Sequence, residues 1–199
     1  MKFREESDYG DQVLGVVSDI AGEADSGKME HSSVIVRPNL GELEFVAKCW
    51  GNNPFIHVFN SFELSLHGEK GIVADFTFSC SEDGGWRNYH RESHVKREGL
   101  GWFMMDVAET IIARSRRNLL SVGIPHSCGV LKGGGGDVGL PSQPDTFRFL
   151  VEKGFRPMDV FNQRAFDLCV EGCKKDLSDD DLLTEVGAMS FSIGKVCRI

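Results

Sequence analysis

Three observations predict an α+β fold, with helices flanking a mixed sheet. The first half of the chain is written in β-branched and aromatic runs bounded by Gly, Asn and Pro. Near residue 100 the apolar period changes from two to a helical one. Beyond that point, turn clusters separate a further strand-like run from a second helical one.

Residues 1–34 are polar, apart from an amphipathic stretch from Val13 to Ile20 that fits a short helix. "SSVIVRP" (32–38) and "ELEFVAKCW" (42–50) read as strands. "FIHVFNSFELSLHG" (55–68) alternates apolar and polar residues, and "GIVADFTFSC" (71–80) is a further strand. "SEDGG" (81–85) is a turn cluster, and "WRNYHRES" (86–93) leaves it as a strand. From Leu100 to Arg117 the residues Leu100, Phe103, Met104, Val107, Ile111 and Ile112 keep helical spacing, with Asp106, Glu109, Thr110 and Ala113 as a more polar stripe. "RSRRN" places positive charge at the helix end where the dipole is negative.

"LLSVGIP" (119–125) fits a short buried strand, and "HSCGVLKGGGGDVGLPSQP" (126–144) a loop. "DTFRFLVEKG" (145–154) is a second helix, with Asp145 as its cap and Gly154 as its stop. "FRPMDVF", Asn162-Gln163 and "RAFDLCV" read as two strands about a tight turn, and "SDDDLLTEV" (178–186) as a short capped helix. No repeat or linker divides the chain, so a single domain is expected over 1–199, with an N-terminal segment 1–34 and a C-terminal extension 171–199.

Bulk properties narrow the function. A length of 199 residues allows a sizeable core, and 41% hydrophobic with 26% charged residues describes a globular chain. The net charge of −8 argues against a protein devoted to the nucleic-acid backbone, so no nucleic-acid partner is expected. No apolar run approaches the ~20 residues that span a bilayer. The start "MKFREESDYGDQ" lacks a signal-peptide core, so a cytoplasmic protein without a membrane partner is expected. The six cysteines, at 49, 80, 128, 169, 173 and 197, complete no zinc pattern with histidine. Reduced thiols and no metal are the expectation. Chain length leaves a homodimer open.

The segment "SHVKREGLGWFMMDVAE" (93–109) carries the functional signal. Gly99 and Gly101 stand where a helix begins, although glycine costs helix stability. The first turn of a helix leaves N–H groups without partners at its positive end, and glycine lets a phosphate approach them. Lys96 and Arg97 add charge just upstream. The pattern suits an anion site for a phosphorylated cofactor, and by itself equally a helix start that needs tight packing. No G-x-x-x-x-G-K-[ST] occurs, and Met104 stands where a dinucleotide fingerprint needs its third glycine.

The same segment resembles the acyl-CoA-binding motif of the GNAT superfamily of N-acyltransferases, [Arg/Gln]-x-x-Gly-x-[Gly/Ala] ahead of a long amphipathic helix. Lys96-Arg97-Glu98-Gly99-Leu100-Gly101 fits it, with lysine in the place of arginine or glutamine. "QPDTFRFLVEKGFRP" (143–157) is similar to the family's later helix and strand. The likeness covers roughly residues 72–170. It implies a central, mainly antiparallel twisted sheet with two splayed parallel strands. It also implies acetyl-CoA or another acyl-CoA as co-substrate, and a small amine or a protein amine as acceptor. By the same resemblance, backbone amides around Lys96, Arg97, Glu98, Gly99, Leu100, Gly101 and Trp102 would hold the pyrophosphate, and the pantetheine arm would lie between the strand ending near Glu92 and "LLSVGIP".

Acyl transfer needs a base, because an alkylammonium of pKa ~10.4 is no nucleophile at neutral pH. Candidates are Tyr89, His90, Glu92 and Asp75, with Glu92 or His90 acting through water preferred. Alternation puts Tyr89 and Arg91 on one face and His90 with Glu92 on the other. The family often bulges this strand, which leaves open the pair that faces the cleft. Leu150 occupies the place of the family's tyrosine acid. His126, Ser127 and Cys128 lack an orienting third group, and "KGGGGDVG" (132–139) reads as a flexible loop. Arg114, Arg116 and Arg117 read as solvated charge at a helix end; the alternative, by the same resemblance, is that one of them touches the 3′-phosphate of CoA. The alternatives to an N-acyltransferase are a GNAT-fold binding or structural module without the reaction, and a phosphate-binding protein of another fold.

Overall fold

The structure is a computed structural model that describes residues 9–25, 30–37, 39–50, 61–80, 85–95, 98–121, 130–132, 138–140, 144–175, 181 and 189–197. It is α+β, and the chain forms two compact units, Met1–Gly129 with Cys197–Ile199, and Val130–Val196. None of the described helices is long and apolar enough to cross a membrane.

The first unit opens with α1 (Tyr9–Asp25), longer than the Val13–Ile20 stretch expected. Val13, Val16, Val17 and Ile20 are buried at helical spacing, and α1 packs on α2 (Leu100–Ser121) and β1 (Glu30–Arg37). Four antiparallel strands continue from β1: β2 (Gly41–Trp50), β3 (Ser61–Gly68), β4 (Gly71–Cys80) and β5 (Trp86–Ser93). β4 and β5 keep the bounds read from the sequence. Tight connections set the register, with Gly41 at φ +72° after β1 and Gly71 at φ +113° after the Glu69–Lys70 turn.

One face of this sheet is the core. Row by row across the strands it carries Cys49, Phe62, Phe78 and Asn88, then Ala47, Leu64, Phe76 and Arg91, then Phe45, Leu66, Ala74 and Ser93. Phe62 stacks on Phe78 with centroids 4.7 Å apart and meets Trp86 at 5.2 Å. α2 reaches this face through Phe103, which meets Phe45 edge-on at 5.8 Å and lies under the Arg37 guanidinium at 5.1 Å. All six residues of the expected apolar stripe are buried, and Met105, Ala108 and Ala113 are buried with them. Burial pushes the Cys49 thiol up to about 12, so it stays protonated.

The helix also runs past Arg117. Leu119, Leu120 and Ser121 are its last residues, not the start of a strand. Nothing in "RSRRN" breaks a helix, and leucine propagates one well. The rest of "LLSVGIP" lies outside the described residues.

The second unit holds β6 (Val130–Lys132) and β7 (Val138–Leu140) within the stretch expected to be loop. β6 and β8 (Arg156–Pro157) each pair with β10 (Ile193–Val196), and β7 pairs with β9 (Met189–Phe191), all antiparallel. α3 (Pro144–Glu152) starts on Pro144 rather than behind a cap at Asp145, because proline suits the first helical position. It stops where expected. Gly154 at φ +86° lets its own N–H reach Val151 O and lets Phe155 N–H reach Leu150 O, each at 3.0 Å, a Schellman closure.

The two strands expected in 155–170 are instead β8, a 3₁₀ turn (Val160–Asn162) and α4 (Gln163–Lys174). Asp159 opens the turn by accepting from Phe161 N–H at 2.9 Å. Phe166 and Cys169 are buried while Leu168 is exposed, so the spacing is three and not two, and Phe166 packs on Phe147 of α3 at 5.5 Å. Residues 55–60, 81–84, 122–129 and 133–137, and the expected helix at 178–186 apart from Asp181, lie outside the described residues.

Two glycines give opposite expectations. A methyl group on Gly15, mid-way along α1, meets nothing within 4 Å, so Gly15→Ala should stabilise the protein by about 0.5–1 kcal/mol in urea denaturation. Gly71→Ala, at positive φ, should destabilise it by about 1–2 kcal/mol in the same measurement.

Candidate functional site

β5 is where the candidate side chains gather, and one irregularity controls how they point. Phe78 of β4 faces Asn88, yet its neighbour Thr77 faces His90, so Tyr89 is an extra residue, a β-bulge. Before the bulge Trp86 and Asn88 point into the core. After it, Arg91 and Ser93 take over that face, paired with Phe76 and Ala74. His90 and Glu92 are thereby turned to the outer face, in the rows of Thr77 and Asp75. Without the bulge, simple alternation from buried Trp86 would send His90 and Glu92 inward.

Asn88 holds the bulge in place. It is buried, and its Nδ2 donates to Thr77 O at 3.2 Å and to His90 O at 2.8 Å. Both hydrogens of the amide are used on the carbonyls that the irregular register leaves nearby. The sequence reading passed over Asn88. Its only signal there was a short polar residue in a strand otherwise facing a core.

The outer face then assembles Asp75, His90 and Glu92, with His94 beside Glu92. His90 Nε2 lies 2.6 Å from Asp75 Oδ2 and 3.8 Å from Glu92 Oε2, and His94 Nδ1 lies 3.4 Å from Glu92 Oε1. The first distance is a hydrogen bond, with Nε2–H donating to Asp75. The longer contact to Glu92 is electrostatic. Asp75 sits directly across from Glu92 in the ladder, which explains how residues 15 or more apart in sequence meet. The His90 side chain is 49% exposed and that of Asp75 22%, so solvent reaches the ring while the carboxylate that orients it is more enclosed.

Among the expected bases, His90, Glu92 and Asp75 are thus brought together. Tyr89 is the unpaired bulge residue, exposed, and separated from Arg91, which the register shift sends inward. The expected shared face of Tyr89 and Arg91 is corrected on that ground. Burial pulls the Arg91 guanidinium down to about 10, which leaves it charged at neutral pH.

Ser93 Oγ donates to Val95 O at 2.8 Å, and His94 N–H reaches Val73 O at 2.9 Å, carrying the chain from β5 toward the glycine turn. Gly99 takes φ +70°, a left-handed conformation, and its carbonyl accepts the helical N–H of Phe103 at 3.0 Å. Its freedom is what allows a 22-residue helix to begin at the next residue. Glu98, Gly99, Gly101 and Trp102 are half-buried, and Leu100 is buried in the core. The Glu98 carboxylate accepts from Asn39 Nδ2 at 3.0 Å, which ties the turn to the β1–β2 connection. Lys96, Arg97, His126, Ser127, Cys128 and residues 133–137 lie outside the described residues, as do the side chains of Arg114, Arg116 and Arg117. Leu150 is fully buried in α3.

No protein-family model matches the chain, and no curated protein matches it. What the site can do follows from its side chains. With Asp75 taking the Nε2–H, a neutral His90 keeps its lone pair on Nδ1 and can accept a proton there.

Replacing Asn88 by Leu keeps the volume and leaves two carbonyls without their donor. Asn88→Leu should therefore cost about 1–3 kcal/mol in chemical denaturation, and the His90–Asp75 contact should loosen, seen as a changed His90 imidazole resonance by NMR.

Proposed function

We propose that the chain is an acyl-CoA-dependent N-acyltransferase, with acetyl-CoA the expected donor and a primary amine the acceptor. The observation that carries this reading is a single run of chain. In it, a bulged strand bearing His90, oriented by Asp75 of the neighbouring strand, leads into a left-handed glycine that opens a long helix. The first supplies a base and the second an anion-binding helix start.

In this reading His90 Nδ1 takes the proton from the acceptor ammonium while Asp75 holds the ring and favours the imidazolium that forms. The free amine attacks the thioester carbon, the tetrahedral oxyanion collapses with rupture of the C–S bond, and the remaining nitrogen proton passes to the released thiolate or to solvent. The thiolate leaves with little help, since a thiol of pKa ~8.5 is a fair leaving group. That suits the burial of Leu150, where the resembling family carries its acid. Glu92 keeps a second carboxylate beside the cationic acceptor. The glycine turn at Gly99–Trp102 would take the pyrophosphate of the donor through backbone N–H groups. The same burial of Leu150 favours a second reading, a binding module that keeps the donor site and lacks the reaction.

Thiol release from acetyl-CoA with a panel of amines separates the two. His90→Gln should lower kcat by about 10²–10⁴-fold with the KM for acetyl-CoA unchanged. Gly101→Trp should abolish acetyl-CoA binding in calorimetry while far-UV circular dichroism stays the same. Binding of acetyl-CoA without acylation of any amine would leave only the second reading, and retained affinity in Gly101→Trp would remove the glycine turn from the site.

A further inference from the structure

We propose that Asp75, His90 and Glu92 form a binding site for one divalent transition-metal ion, Zn²⁺ by its donor set. One ligand atom from each of the three lies within 4.8 Å of the other two. A four-coordinate zinc ion with bonds of ~2.0–2.1 Å needs its ligand atoms ~3.3 Å apart. The pairs at 2.6 Å and 3.8 Å straddle that value, so small side-chain rotations complete the triangle. The backbone already fixes its corners. Asp75 and Glu92 are direct partners across the β4–β5 ladder, and His90 is two residues from Glu92 on the same face because of the bulge.

Charge gives an independent reason. Among the described residues, Asp75 and Glu92 have their ion-pair contacts with imidazoles only, His90 and His94. Lys48, in the same cross-strand row as His90, has its Nζ 3.7 Å from Glu30 instead. Two carboxylates held this close, with no lysine or arginine paired to them among the described residues, favour a doubly charged cation. One imidazole with two carboxylates, and no thiolate, suits zinc better than Mg²⁺ or Ca²⁺, which take oxygen ligands alone. His94, 3.4 Å from the second oxygen of Glu92, is placed to orient that ligand from the outer shell. On binding, the single proton of neutral His90 moves from Nε2 to Nδ1, which frees the Nε2 lone pair for the ion. Three protein ligands on a half-exposed face leave a fourth position for water.

Sequence spacing could not show this set. The ligands come from two strands, and parity alone would have sent His90 inward.

The test is calorimetric titration of ZnCl₂ into the full chain, stripped with chelator and kept reduced. One ion per chain is expected, with affinity about tenfold or more weaker in Asp75→Asn and His90→Ala and unchanged in Glu30→Gln, a carboxylate elsewhere on the sheet. Circular dichroism checks that the variants fold, and Glu92→Gln, at an exposed side chain, supplies a third variant that should also weaken binding. Cobalt substitution should give ligand-field bands without the thiolate charge-transfer band that the chain's cysteines would produce. No stoichiometric binding up to millimolar Zn²⁺, or binding that Asp75→Asn and His90→Ala leave intact, overturns the site. The titration uses no acyl donor, so it succeeds or fails whatever the transferase assay shows; because zinc-bound His90 carries its proton on Nδ1 and cannot serve as the base, the transferase assay is run on the chelator-stripped chain.

Discussion

Between Phe78 and Thr77 of β4 the backbone advances one residue, while between their partners Asn88 and His90 on β5 it advances two. A strand alternates strictly, so this single extra residue exchanges the faces of everything after it. Arg91 goes to the side of Phe76 and Leu64, and His90 and Glu92 come out beside Asp75. Every chemical property attributed to the sheet's outer face depends on that exchange. Asn88 stabilises it by spending both amide hydrogens on Thr77 and His90 carbonyls, which turns a defect in the ladder into a fixed local geometry.

The helix start depends on the same unit's core. Gly99 can take its left-handed angle because it lacks a Cβ, and Leu100, Phe103 and Met104, which follow it, are buried. The edge-on contact of Phe103 with Phe45, and the Arg37 guanidinium above it, anchor the first turn. Fixing that turn in place also fixes the direction of its dipole, the property an anion would use.

Much of the first unit was legible in the sequence. β4 and β5 follow from strand-like runs on either side of the turn cluster at 81–85, and the stripe from Leu100 to Ile112 is the buried face of α2. The stop at Gly154 was legible too, because few residues other than glycine suit a Schellman closure. Short runs were not. In "RAFDLCV", spacings of two and three both fit seven residues, and only the contact of Phe166 with Phe147 decides for helix. Strands of three residues, such as Val130–Lys132 and Val138–Leu140, are too brief to carry a period at all. At the site, His90 and Glu92 could be named, and their sharing of a face was right. Their union with Asp75, and the role of Asn88, required the ladder register, which no single strand contains.

A cluster mounted on two hydrogen-bonded strands differs in kind from one carried by loops. The ladder fixes the backbones of Asp75, His90 and Glu92 and leaves only their side chains to turn, so much of the cost of arranging them was met when the sheet folded. Such a frame cannot wrap itself around a guest. Selection there must work by fit to a template already cut, which favours rapid arrival and departure over tight enclosure.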